Sequence, residues 1–120
     1  MTPKPRVRTA RVYDELGPDE GQRVLVDRLW PRGLRKTDPR VGHWLPAVAA
    51  STELRHWYGH DPARYDEFVQ RYRAELEQSP AAEALDELKV MRKQGPLTLV
   101  TATKDLGLSH LSVLAEELDT

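Results

Sequence analysis

The sequence predicts an α/β fold: one compact domain with a small, mostly parallel sheet and helices packed on it. Three observations lead there. Strand-like segments flank a helical middle, which is the pattern of a layered α/β domain. Val24, Leu25 and Val26 are consecutive apolar residues, as a strand covered on both faces requires. The second and third strand-like segments are separated by a long helical crossover, and strands joined that way run parallel. A chain of 120 residues is long enough to bury a core as one domain.

The elements follow in order. Residues 1–6, with two prolines and a lysine, are expected to form a loose tail, and residues 7–120 the domain. Val7 to Tyr13 alternates and reads as a first strand, whose direction relative to the second is left open. Glu15 to Gly21 reads as a turn from its Gly, Pro and Asp content. Arg23 to Leu29 is the second strand, stopped by Pro31, which has no N–H to donate. A short helix over Val41 to Ala49 is expected, with Trp44, Leu45 and Val48 on one side. Ser51 or Thr52 caps the next helix, which runs through Leu54, Trp57 and Tyr58 and ends at Gly59. Asp61-Pro62 is a helix start, a cap followed by proline. The helix it opens carries Tyr65, Phe68, Val69, Tyr72 and Leu76 in one amphipathic stripe. Ser79-Pro80 repeats the start signal, with Leu85, Leu88 and Met91 as the apolar face and Gly95-Pro96 as the stop. Leu97 to Thr101 is the third strand, Lys104 to Gly107 a loop, and Ser109 to Leu118 the last helix, with Leu111, Leu114, Ala115 and Leu118 buried.

Composition narrows the function classes. The absence of cysteine removes thiolate nucleophiles, internal redox pairs and cysteine-based zinc sites. A net charge of −1 gives no global field for nucleic acid. No apolar run of about 18 residues suggests a membrane span. The amino terminus lacks the apolar stretch of a secretory signal, so the cytoplasm is the expected compartment. Phosphate loops, GxGxxG, serine elbows and HExxH are absent.

Two polar clusters remain as candidates. The first follows the second strand: Asp27, Arg28, Trp30, Arg32 and Gly33. Strand alternation would set Asp27 apart from Arg28 and Trp30. Arg28 and Arg32 could fork a phosphate or carboxylate, and Gly33 would let backbone approach closely. The plain structural alternative is an internal ion pair through Asp27, with Trp30 plugging the core. The second cluster follows the third strand: Thr101, Thr103, Lys104 and Asp105, then Ser109 and His110 at the start of the last helix. A helix amino terminus offers unpaired N–H donors to an anion, and His110 there could move a proton. Simple capping by Asp105 or Ser109 is the alternative. In a parallel sheet both clusters fall at the carboxyl edge, where open α/β sheets bind ligands. A third segment, Glu53 to Asp61, holds His56 and His60 at helical metal-ligand spacing. Gly59 breaks the helix and no third ligand is placed, so no metal site is expected. Trp57 and Tyr58 read as core.

Arg23-Val24-Leu25-Val26-Asp27-Arg28-Leu29-Trp30-Pro31-Arg32-Gly33 resembles the opening signature of the YeaO-like bacterial proteins, a branch of the domain of unknown function 488 group. Glu53 to Pro62, Phe68 to Leu76, Leu97 to Val100, Ala102 to Asp105 and His110 match in order, so the resemblance covers about residues 7 to 118. It implies a small cytosolic α/β protein and no established activity. Some wider relatives carry cysteines where this chain has Thr101 and Ser109, and the pattern often has a second histidine where Leu108 stands.

The resulting expectation is a small anionic ligand at the carboxyl edge of the sheet. Arg28, Trp30, Arg32, Gly33, Thr103 and Lys104 would bind it. Asp27, Asp105 and His110 are the proton-moving candidates if the protein is an enzyme. No cofactor or oligomeric state is specified. The rivals are a nucleic-acid-binding or accessory module, against which the charge speaks, and a structural or partner-binding protein without catalysis.

Overall fold

The computed structural model describes residues 7–14, 21–104 and 106–119. Among these, four strands, β1 (Arg8–Arg11), β2 (Gln22–Leu25), β3 (His43–Trp44) and β4 (Leu97–Thr101), form one parallel sheet in the order β1-β4-β2-β3. The helices are α1 (Thr52–Tyr58), α2 (Tyr65–Leu76), α3 (Ala81–Gln94) and α4 (His110–Asp119). The expected α/β class and the parallel pairing of β2 with β4 are both present. The direction left open is also settled. β1 pairs with β4 in parallel and does not touch β2 as a hairpin partner. The expected amino-terminal tail and the body of the Glu15–Gly21 turn lie outside the described residues.

β4 occupies the middle of the sheet and all five of its residues are buried. Its two faces meet different cores. Leu97 and Leu99 join Val24 and Val26 under the helices, with Phe68, Tyr72, Leu76, Leu85, Leu88, Leu111 and Leu114. Val100 and Leu25 face the other way, against Val12 and Val41, with Trp30 and Leu34 packed beside them. This explains the consecutive apolar run in β2: alternate residues serve alternate layers. Each fully buried Leu, Val or Phe contributes on the order of 1.5–3 kcal/mol.

Three local expectations are corrected. Residues 41–49 do not form a helix. His43–Trp44 pair with β2, and Pro46–Val48 make one 3-10 turn. Backbone conformation at Gly42 decides this: its φ is +68°, and a Cβ there would stand 2.3 Å from the Arg23 carbonyl oxygen. Only glycine turns the chain so close against β2. The second correction is the end of β2, at Leu25 and not Leu29. The Val26 N–H still reaches the Val100 carbonyl, after which the chain leaves the ladder. The third is at Ser79-Pro80: α3 begins at Ala81 without a side-chain cap, and the Ser79 hydroxyl donates to the Glu83 carboxylate.

The remaining helices follow the expected stripes. Ser51 caps α1 through its hydroxyl, which accepts the Leu54 N–H at 3.1 Å. Asp61 accepts the Ala63 N–H and opens a 3-10 turn at Pro62–Arg64 that runs into α2. Among the described residues no helix is long and apolar enough to cross a membrane.

α1 is fixed to α2 by one carboxylate. Glu75 accepts the Ser51 N–H at 2.9 Å and the Ser51 hydroxyl at 2.6 Å. Glu75→Ala should therefore cost about 1–2 kcal/mol, the range for a lost charge-assisted cap. Thermal unfolding checks this, and an unchanged melting temperature would reject it.

Candidate functional site

A cavity of about 590 Å³ opens at the carboxyl edge of the sheet, beyond the ends of β2 and β4. Its lining comes from the 27–32 segment, the Ala102–Thr103 turn, the start of α4, the α1 region and α2.

Asp27 stands where β2 leaves the sheet. One carboxylate oxygen accepts the Thr101 hydroxyl at 2.6 Å, and the other accepts the Ala102 N–H at 2.9 Å. The His110 Nε2 lies 3.4 Å from the first oxygen. Burial pushes the Asp27 carboxyl up. Its bonds to His110, Ala102 and Thr101, with the attraction of His110, outweigh burial and hold it below the usual carboxylate value. Asp27 thus ties the end of β2 to the end of β4.

His110 is the first residue of α4, and its Nε2 is 2.8 Å from the Val26 carbonyl. A carbonyl only accepts, so Nε2 donates, leaving Nδ1 as the nitrogen available for further bonding. The ring also packs edge-on against Tyr72. Tyr72 is fully buried and donates its hydroxyl to the Val48 carbonyl. Burial, helped by the Glu75 charge, raises its phenol well above the ordinary range.

Arg28 donates to the Ala50 and Ala49 carbonyls at 3.4 and 3.2 Å, which anchors its guanidinium across the cavity wall from α1. Trp30 donates from its indole to the Leu34 carbonyl at 2.8 Å and meets Trp44 edge-on at 5.4 Å. Trp44 in turn donates to the Asp27 carbonyl at 2.7 Å. Arg32 is exposed at the mouth, its backbone carbonyl held by the Tyr13 hydroxyl at 3.0 Å.

The cavity brings together Asp27, Arg28, Trp30, Arg32, Thr103 and His110. The early end of β2 makes this possible, because strand alternation no longer separates residues 27 to 30. Lys104 is exposed and does not line the cavity, and neither does Gly33. Nothing lies within 4 Å of a Cβ built on Gly33, whose φ is +80°. Its glycine answers a backbone conformation and not a close approach. Asp105 lies outside the described residues.

The sequence reading left out one wall. Arg55, His56 and His60 line the cavity from α1 and the turn after it, with Tyr58 and Phe68. The signal was the Glu53–Asp61 block itself, weighed there as metal ligands and core. Among the described residues no cluster of three or more metal-ligating side chains occurs. His60 has φ +56°, unusual for a residue with a side chain.

Together these features define a small parallel α/β protein with a basic, aromatic-walled cavity at the carboxyl edge of its sheet. The chain belongs to the YeaO-like branch of the domain of unknown function 488 group. Residues 6–120 match the family described as "Inactive DUF488-N3 subclade". An uncharacterised protein of Mycobacterium tuberculosis is 52% identical over 119 residues, covering 99% of this chain and 98% of the relative. A Mycobacterium bovis protein matches to the same extent. Escherichia coli YeaO is 38% identical over 112 residues, 93% of this chain and 96% of its own length. No solved structure matches the chain.

Proposed function

We propose that the protein binds a small phosphate- or carboxylate-bearing ligand in this cavity, and that it does so without covalent catalysis. The charge imbalance of the lining supports the reading. Among the described residues Arg28, Arg32 and Arg55 stand against one lining carboxylate, that of Asp27, which already has both oxygens engaged. Among the described residues the guanidiniums of Arg32 and Arg55 have no hydrogen-bond or ion-pair partner, so they are available to an oxyanion.

The hydroxyls near the site favour binding over turnover. Thr101 donates to Asp27, and Ser109 donates to the Leu106 carbonyl while accepting the Leu111 N–H. Both hydroxyls are thus committed to bonds that hold the strand ends and the start of α4. The description of the matching subclade as inactive agrees with this.

Titration with inorganic phosphate, followed by NMR amide shifts, tests the reading. Phosphate should perturb residues 27–32, 55–60 and 102–110. The Arg32→Ala/Arg55→Ala double variant should weaken binding at least tenfold, because each charge-assisted bond contributes about 1.5–3 kcal/mol. Equal affinity in wild type and variant would sink the proposal.

A further inference from the structure

The cavity walls carry information about the body of the ligand as well as its charge. Besides the imidazoles of His56, His60 and His110, three aromatic side chains with polar atoms line it, and each of these three has that atom committed elsewhere. Tyr13 donates to the Arg32 carbonyl at 3.0 Å, Trp30 to the Leu34 carbonyl at 2.8 Å and Tyr58 to the Leu108 carbonyl at 2.7 Å. Phe68, stacked on Tyr58 with ring centroids 4.4 Å apart, has no polar atom to offer. What these four side chains present to the cavity is ring carbon. Leu29, 68% exposed, adds an apolar group to the same lining.

A bare inorganic anion would satisfy the arginines and leave this carbon surface in water. A volume of about 590 Å³ is also far more than one oxyanion fills. Apolar walls with a few convergent polar groups are the ordinary design of a site for an organic ligand. Ring surfaces favour a flat partner, which stacks or meets them edge-on.

We infer that the ligand is an aryl anion: a flat aromatic body carrying a phosphate or carboxylate group. The ring sits against Trp30, Tyr58 and Phe68 while Arg32 and Arg55 hold the charged end. This rests on the anion-binding reading above and adds the chemical class of the ligand's body.

Four probes separate the two claims: methyl phosphate, phenyl phosphate, benzoate and phenol, each titrated into the full chain. Affinity comes from amide shifts, and the indole N–H signals of Trp30 and Trp57 serve as reporter and control, Trp57 being outside the cavity lining. Phenyl phosphate should bind at least tenfold more tightly than methyl phosphate and shift the Trp30 signal but not that of Trp57. Phenol should bind at least tenfold more weakly than phenyl phosphate. Benzoate binding as tightly as phenyl phosphate points to a carboxylate source, and weaker benzoate binding to a phosphate source. Both support the inference provided that one of the two binds at least tenfold better than methyl phosphate. Equal affinity for methyl and phenyl phosphate, with benzoate no better, overturns the aryl inference and leaves anion binding standing. Phenol matching phenyl phosphate, or no response to any probe, overturns both.

Discussion

Asp27→Ala is expected to lower the melting temperature by roughly 10–18 °C, corresponding to about 3 kcal/mol. The side chain accepts the Thr101 hydroxyl and the Ala102 N–H and lies beside the His110 ring. Removing it strands the Ala102 N–H where β2 and β4 leave the sheet, at its full desolvation cost, and leaves the Thr101 hydroxyl only the Thr103 hydroxyl at 3.2 Å. Asp27→Asn should be milder at neutral pH, since the amide oxygen still accepts one bond while its NH₂ group faces a donor. The two variants also differ from wild type in their acid response. Asp27 has a folded-state value below the ordinary 3.8. A depressed carboxyl contributes stability that is complete above the unfolded value and is lost as pH falls through the folded one. The stability gap between wild type and Asp27→Asn should therefore be full at pH 6 and shrink as pH drops below about 4. Urea unfolding at several pH values measures it; a gap that stays constant to pH 2 would show that the carboxylate is not held ionised.

Gly42→Ala is the second large effect, expected to cost about 3 kcal/mol. Two terms combine. A non-glycine residue at φ +68° costs on the order of 1–2 kcal/mol, and forcing a Cβ to within 2.3 Å of the Arg23 carbonyl adds overpacking of about 1–3 kcal/mol. Gly33→Ala separates them, because it has φ +80° and open space around the missing Cβ. It should show the conformational term alone, about 1–2 kcal/mol. Since Gly42 seats β3 on β2, its substitution should also broaden the amide signals of the 26–41 segment. If both alanine variants lose the same stability, the close approach at Gly42 carries no energetic weight.

The sequence made the strands, the amphipathic helices and the location of the cavity legible, because each has a local cause. The Val24–Val26 run reports burial on two faces, the Phe68–Leu76 stripe reports one helical face, and parallel crossovers send polar strand ends to one edge. What stayed hidden depends on contacts distant in sequence. Nothing local to residues 41–49 says that Gly42 will meet Arg23, so Trp44, Leu45 and Val48 imitate a helical face. The end of β2 at Leu25 is equally unreadable, since Leu29 is an apolar residue on the same strand face as Leu25 yet stands mostly exposed at the cavity. The α1 wall was missed for a related reason. Arg55, His56 and His60 belong with Arg28 only once Ser51 is clamped by Glu75 and the guanidinium of Arg28 reaches Ala49 and Ala50.

Six side-chain ties around the cavity share a grammar. Tyr13, Trp30, Trp44, Tyr58, Tyr72 and His110 all end on main-chain carbonyls, those of Arg32, Leu34, Asp27, Leu108, Val48 and Val26. A carbonyl is present whatever residue supplies it. These six ties therefore depend on the identity of the donors and not on the acceptors' side chains, whereas Asp27 holds Thr101 and Ala102 through its own carboxylate. Exposed Arg32 can be exchanged for other residues without loosening Tyr13, so the mouth is free to vary in chemistry there while its walls stay put. A saturation library read by folding alone should tolerate most replacements at Arg32 and few at Tyr13 and Trp30. On the ligand-binding reading proposed above, such a scaffold would change its ligand without having to be rebuilt.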